Sequence, residues 1–237
     1  MRLNKYIASS GYCSRREADR LIESRRVKIN GKTAELGQRV EDGDLVEVDG
    51  KAIYENKNKI YLAFNKPVGI VCTTEKKEKD NIVDYINHRE RIYPIGRLDK
   101  DSEGLIFLTN DGDIVNKILR QEYKKEKEYI VTVDRKINEK FLKQMAQGVE
   151  IYNPVRDEKV RTNKCRIEKL TNRKFKIIIS QGLNRQIRRM CEALGYNVET
   201  LKRIRISNIK LGELPIGKYR YLNEIELKGL LKGKRRE

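Results

Sequence analysis

Short apolar runs and amphipathic stretches interleave along this chain without settling into a repeated strand–helix–strand alternation. That pattern argues for an α+β fold with a mixed, largely antiparallel sheet. Leu45–Val48, Leu105–Leu108, Tyr129–Val133, Cys165–Leu170 and Phe175–Ser180 read as strands. Ile60–Phe64 reads as a buried strand closed by the turn signal Asn65–Gly69, with Ile70–Thr73 resuming it and Thr74–Lys79 forming a charged loop. Asn110–Asp113 turns the chain into a helix bearing Ile114, Val115, Ile118 and Leu119, and Arg120, Lys124, Lys125 and Lys127 follow closely. Asn138–Gln147 and Gln186–Leu194 have helical spacing, the second ending at Gly195. Val198–Ile206, carrying Lys202, Arg203 and Arg205, reads as a basic strand or loop edge. A last helix starts at Asn223, with Glu226 at N3, and runs into the basic tail Lys232–Arg236. No repeat at a solenoid period is present.

The first fifty residues have a character of their own. Leu3, Tyr6 and Ile7 fall at helical spacing, Gly11 offers a C′ stop, and Ser14-Arg15-Arg16-Glu17 reads as a capping box opening a second helix. Ala18, Leu21 and Ile22 give that helix an apolar face, while Arg15, Arg16, Arg20, Arg25 and Arg26 crowd its ends and outer side. Strand-like Val27–Ile29 meets Asn30-Gly31, a favoured hairpin turn, and further turns follow at Asp42-Gly43 and Asp49-Gly50. Residues 1–32 hold nine Lys/Arg against three Asp/Glu, whereas residues 33–60 hold four against seven, so positive charge is gathered on one part. Such a face suits phosphate; the plainer alternative is a helical hairpin with solvated arginines. The polar stretch after Gly50 is short of core residues. Boundaries are therefore expected at 1–50, a linker 51–59, and a second domain 60–237 that includes the basic tail.

A net charge of +18 on 237 residues implies a polyanionic partner. Nucleic acid leads and an anionic membrane comes second. No apolar run approaches the about 20 residues of a spanning helix, and Met1–Tyr6 has no signal-peptide core, so a cytoplasmic protein is expected. Cys13, Cys72, Cys165 and Cys191 are scattered without a Cys-x-x-Cys pair, and His88 is the one histidine. That set suits neither a disulfide framework nor a zinc site, and the thiols read as packing residues. His88 lies in a charged loop and reads as solvated. Gly212–Tyr219 has the glycine and lysine spacing of a phosphate loop but puts tyrosine where a hydroxyl should ligate magnesium, and no helix obviously follows. No Gly-x-Gly occurs, which weakens any dinucleotide or methyltransferase reading.

Gly96-Arg97-Leu98-Asp99-Lys100-Asp101-Ser102-Glu103-Gly104 is a polar turn between Tyr93-Pro94-Ile95 and the run Leu105–Leu108. Two glycines bracket three carboxylates and two cations within seven positions. Taken alone, this is compatible with a solvated connection. It resembles, however, the motif around the nucleophilic aspartate of RNA pseudouridine synthases of the RsuA/RluB/RluE/RluF family. Lys127-Glu128-Tyr129 and Gln181-Gly182-Leu183-Asn184-Arg185-Gln186-Ile187-Arg188-Arg189-Met190 are similar to two further family motifs, in family order. Phe64–Gly69 and Asn81–Asp84 are most similar to the RluF branch, and the likeness covers nearly the whole chain.

The resemblance implies a small RNA-binding domain like that of ribosomal protein S-four from Arg2 to about Val48, then a catalytic domain with a split sheet and central cleft. It implies site-specific isomerisation of uridine to pseudouridine, with 23S ribosomal RNA as substrate and no cofactor or metal required. By the same likeness Asp99 is the catalytic carboxylate, and Tyr129 stacks on the target base and assists proton transfer. Arg188 is the cation that keeps Asp99 ionised, with Arg185 and Arg189 as rivals for that pairing and contacts to substrate. A carboxylate desolvated in a pocket protonates unless a cation stands near it, so a bidentate guanidinium is the expected partner. Arg97 would grip the flipped nucleotide or its phosphate. Arg15, Arg16, Arg20, Arg25 and Arg26, with Lys202, Arg203 and Arg205, would bind RNA at two separated points. A non-catalytic RNA-binding or ribosome-assembly factor is the competing reading, and a methyltransferase bearing the same small domain a third. Open at this level are the uridine used, tRNA or a pre-ribosomal particle as substrate, and the oligomeric state, with monomer the default.

Overall fold

The computed structural model describes residues 1–115, 118 and 125–231. Leu119, Arg120, Lys124 and the tail Lys232–Arg236 lie outside the described residues. The chain divides into two compact units: residues 1–60 with 88–92 and 109–112, and residues 61–87 with 93–108 and 113 onward.

In the first unit, helix α1 (Leu3–Ser9) is followed by α2 (Arg15–Glu23), whose N-cap Ser14 accepts a hydrogen bond from the Glu17 N–H at 3.1 Å. Strands β1 (Val27–Ile29), β2 (Lys32–Thr33), β3 (Val46–Val48) and β4 (Lys51–Ile53) form an antiparallel sheet in the order β2-β1-β3-β4. Asn30-Gly31 and Asp49-Gly50 both turn with two positive φ values, 50° and 78°, then 51° and 74°. That twist is what a two-residue hairpin needs. Leu3, Ile7, Ala18, Leu21 and Ile22 close over Val27, Ile29, Val46 and Val48 as one core. Lys51–Ile53, expected to begin a linker, instead completes this sheet. The Asp49-Gly50 turn folds it back onto β3, and Ile53 packs on the core.

The second unit is built on a nine-stranded sheet. Its members in chain order are β5 (Tyr61–Lys66), β6 (Tyr93–Ile95), β7 (Glu103–Thr109), β8 (Lys127–Val133), β11 (Arg166–Lys169), β12 (Lys174–Ile179), β13 (Val198–Ile206), β14 (Ile209–Lys210) and β15 (Tyr219–Tyr221). The path runs β11-β12-β8-β13-β7-β5-β15, with β14 paired to β13 and β6 to β7. The β7–β13 pair is parallel and the other paired strands with a described register are antiparallel, so the sheet is mixed and largely antiparallel. Ile70–Thr73 does not resume a strand; Val71 makes only an isolated bridge to Asn81. The segment Val198–Ile206 is no edge but a central strand between β8 and β7. A separate hairpin, β9 (Glu150–Asn153) and β10 (Glu158–Arg161), had no clear signal in the sequence.

Helices α3 (Ile82–Ile86), α4 (Glu139–Gln147), α5 (Gln186–Ala193) and α6 (Glu224–Leu231) complete the described elements, and residues 112–115 are also helical. Ala63, Ile95, Leu105, Phe107, Ile206 and Leu230 belong to one buried cluster, in which each large side chain contributes about 1.5–3 kcal/mol by leaving water. No helix among the described residues is long and apolar enough to cross a membrane.

Candidate active site

The polar turn between β6 and β7 is held by its backbone. Cys72 donates its thiol hydrogen to the Leu98 carbonyl at 3.1 Å, and the Leu98 N–H donates back to Cys72 Sγ at 3.4 Å. Lys66, the fully buried last residue of β5, donates through Nζ to the carbonyls of Pro67 and Ile70 at 2.8 Å each and of Lys100 at 3.5 Å. Arg188 on α5, 6% exposed, donates through Nη2 to the Asp101 carbonyl at 2.8 Å and to Ser102 Oγ at 3.3 Å. Arg203 on β13 donates to the Arg97 carbonyl at 3.4 Å. Arg97, Leu98, Lys100, Asp101 and Ser102 are thus anchored from β5, the segment after it, α5 and β13.

On that frame the two carboxylates divide the cations between them. Arg185, at positive φ just before α5, forks onto Asp101 with distances of 3.1 and 2.9 Å. Arg188 Nε stands 3.4 Å from the same carboxylate. Asp99, about one-third exposed, has Arg185 Nη1 at 3.9 Å as its ion-pair partner among the described residues. Burial pulls the Asp101 carboxyl upward, but the Arg185 fork and the nearby Arg188 charge outweigh it and hold it below the usual range. Burial likewise draws the Lys66 ammonium down, against the opposing pull of Cys72, Asp101 and Asp99. Tyr129, buried in β8, lies in one row with Arg203 of β13 and Gly104 of β7. Strand spacing puts it roughly 10 Å across the sheet from Gly104.

Residues 60–193 match the family described as RNA pseudouridylate synthase, and residues 1–46 match the S4 domain. The dual-specificity RNA pseudouridine synthase RluF of Escherichia coli (strain K12) is 54% identical over 234 residues, covering 98% of this chain and 79% of that protein. The chain belongs to the RNA pseudouridine synthase family. Within it, this synthase is of the RsuA type and most like RluF. Ribosomal large subunit pseudouridine synthase B of Bacillus subtilis (strain 168) is 36% identical over 97% of this chain and 95% of its own length. A crystal structure of a pseudouridylate synthase superposes with a TM-score of 0.68 at 30% identity, covering 97% of this chain and 99% of that one.

The synthase therefore makes pseudouridine in RNA, and the α+β architecture of an S4 domain followed by a synthase domain is as the motifs implied. Several residue expectations change. Arg188 does not fork onto Asp99: it is buried, its Nη groups donate to the carbonyls of Asp101 and Val198 and to Ser102, and its Nε makes no hydrogen bond among the described residues. The more exposed Arg185 is nearer to Asp99. Arg189 turns to Asn184, donating to its carbonyl at 3.1 Å and to its side-chain oxygen at 3.2 Å. Arg97 is exposed on the turn.

The second phosphate-binding point expected at Lys202, Arg203 and Arg205 is not offered. Arg205 is committed to Glu128 at 2.6 Å and Glu126 at 3.3 Å, Lys202 stands 3.9 Å from Glu103, and Arg203 is 3% exposed. Arg203 and Arg205 are thus turned inward, whereas the Lys202 side chain stays 36% exposed beside its acidic neighbour. In the first unit, Arg15, Arg16 and Arg25 are exposed and carry no ion pair among the described residues, whereas Arg20 pairs with Glu17 and Arg26 forks onto Asp49. His88 is half-buried rather than solvated, and its Nδ1 accepts from the Glu90 N–H at 3.0 Å. Lys66 and Asp101 were visible in the quoted motifs without any hint of their roles. A lysine ending an apolar strand was the one available signal for Lys66.

Proposed function

We propose that this synthase isomerises a uridine of large-subunit (23S) ribosomal RNA, with Asp99 as the nucleophilic carboxylate. The observation that carries this reading is the placement of Asp99: a partly exposed carboxylate on a turn anchored by buried cations, with its neighbour Asp101 taking the close arginine contacts. A carboxylate already forked by an arginine is a poor nucleophile; Asp99, 3.9 Å from Arg185, keeps its oxygens available while remaining in a positive field.

In the reaction the bond from ribose C1′ to uracil N1 breaks and one from C1′ to C5 forms. The C5 hydrogen leaves as a proton and N1 acquires one, so atoms balance without a redox partner. Asp99 takes part in the displacement, Tyr129 supports the base from β8 and assists proton transfer, and Arg185 and Arg188 counter developing negative charge. Arg97, exposed beside Asp99, takes the flipped nucleotide or its phosphate. Arg15, Arg16 and Arg25, with Arg20 and Arg26 behind their acidic partners, supply the approach surface for RNA phosphates. The protein acts as a cytoplasmic monomer. Because the Escherichia coli relative is named dual-specificity, tRNA is the second substrate class to test.

Asp99→Asn, assayed by release of tritium from C5 of transcribed 23S RNA, should lose turnover by at least ~10³-fold with RNA affinity kept. Retained turnover would end the assignment.

A further inference from the structure

We propose that Arg203 is a positioning residue for the reaction, resting on the reading of Asp99 as nucleophile: from β13 it grips the backbone on both sides of that carboxylate and fixes where it stands. Its Nε donates to the Leu105 carbonyl at 2.6 Å, and its Nη1 to the Arg97 carbonyl at 3.4 Å. Arg97 precedes Asp99 by two residues, and Leu105 lies just inside the strand that carries the chain away. One planar guanidinium therefore spans the turn from entry to exit, a task for which a flexible ammonium has no matching geometry.

The charge is as informative as the geometry. Arg203 is buried, and among the described residues no carboxylate lies within ion-pair distance of it. A buried cation answered only by carbonyl dipoles is costly, and a neutral or apolar residue would serve simple packing better. Its charge reaches Lys66 and Cys72, and the same Lys66 lies within electrostatic reach of Asp99 and Asp101. Arg203 thus adds a fixed positive charge to this group as well as a clamp on the backbone that presents Asp99. Its predicted role as a phosphate ligand is replaced by one internal to the catalytic turn.

Arg203→Met and Arg203→Lys, made in the full chain, test this. Arg203→Met should lower kcat on saturating RNA by about 10²-fold, the scale of a small misplacement of a reacting group. KM and RNA Kd should stay within about twofold. Arg203→Lys should restore part of kcat, since charge returns without the fork.

Ile177→Val, in buried β12, serves as a comparison for general loosening of the sheet. An equal kcat loss in that variant at equal Tm would reduce Arg203 to packing and overturn the proposal. Weakened RNA Kd with kcat intact would make it an RNA ligand, and unchanged kinetics would leave it no role; either result also overturns it. If Asp99→Asn abolishes turnover while Arg203→Met does not, this proposal fails alone; if Asp99→Asn is active, the nucleophile reading fails first.

Discussion

Gly104 closes the Asp99 turn at φ +107°, and a Cβ built there would lie 2.3 Å from the Arg203 carbonyl oxygen and 2.7 Å from its nitrogen. Both obstacles are backbone, so nothing nearby can swing aside. The absence of a side chain is what lets β13 run parallel to β7 at this point and brings Arg203 within reach of the Arg97 carbonyl. Gly104→Ala should therefore destabilise the second unit by about 3 kcal/mol or more, read as a fall in its calorimetric transition, and should lower kcat as well. At the same scale, the Asp101 carboxylate is held below its usual pKa, so the stabilisation from its pairing with Arg185 is present above the unfolded carboxylate range. It disappears as pH falls through the depressed value.

Elements form here by local rules, and the caps show it. Asn223 accepts from the Glu226 N–H at 2.8 Å while Glu226 returns a bond to the Asn223 N–H at 3.1 Å, a reciprocal box at the start of α6. Glu226 also takes the Arg220 fork at 2.7 and 2.8 Å, tying the helix to β15. Replacing Asn223 by Ala removes an acceptor from the first turn and should cost about 1 kcal/mol in urea unfolding, with kcat at saturating RNA unchanged. Strands were legible wherever period or apolar runs were clear, as in β5, β7, β8 and β12. They were missed where side chains were polar: β4 folds back on its neighbour β3, β9 and β10 pair only with each other, and β15 depends on the distant β5 edge.

Over the whole molecule the charge of +18 is not one surface. A small part of it lies inside: Lys66, Arg188 and Arg203 on the backbone around the turn, and Arg205 against Glu126 and Glu128. If the arginines left exposed around α2 meet RNA phosphates as proposed, Arg15→Gln with Arg16→Gln should flatten the slope of log K against log salt by about one to two units. Turnover at saturating RNA should persist; an unchanged slope would remove α2 from the RNA footprint. Sequence alone determined the α+β class, the S4 and synthase order, the Asp99 turn and the capping boxes, because motif, period and cap are properties of neighbouring residues. Only the tertiary structure decided which cation meets which carboxylate. Arg185, Arg188 and Arg203 look alike in a charge count, and what separates them is burial: a buried guanidinium must spend its donors on the backbone around it, while a partly exposed one stays free to meet Asp99 or RNA.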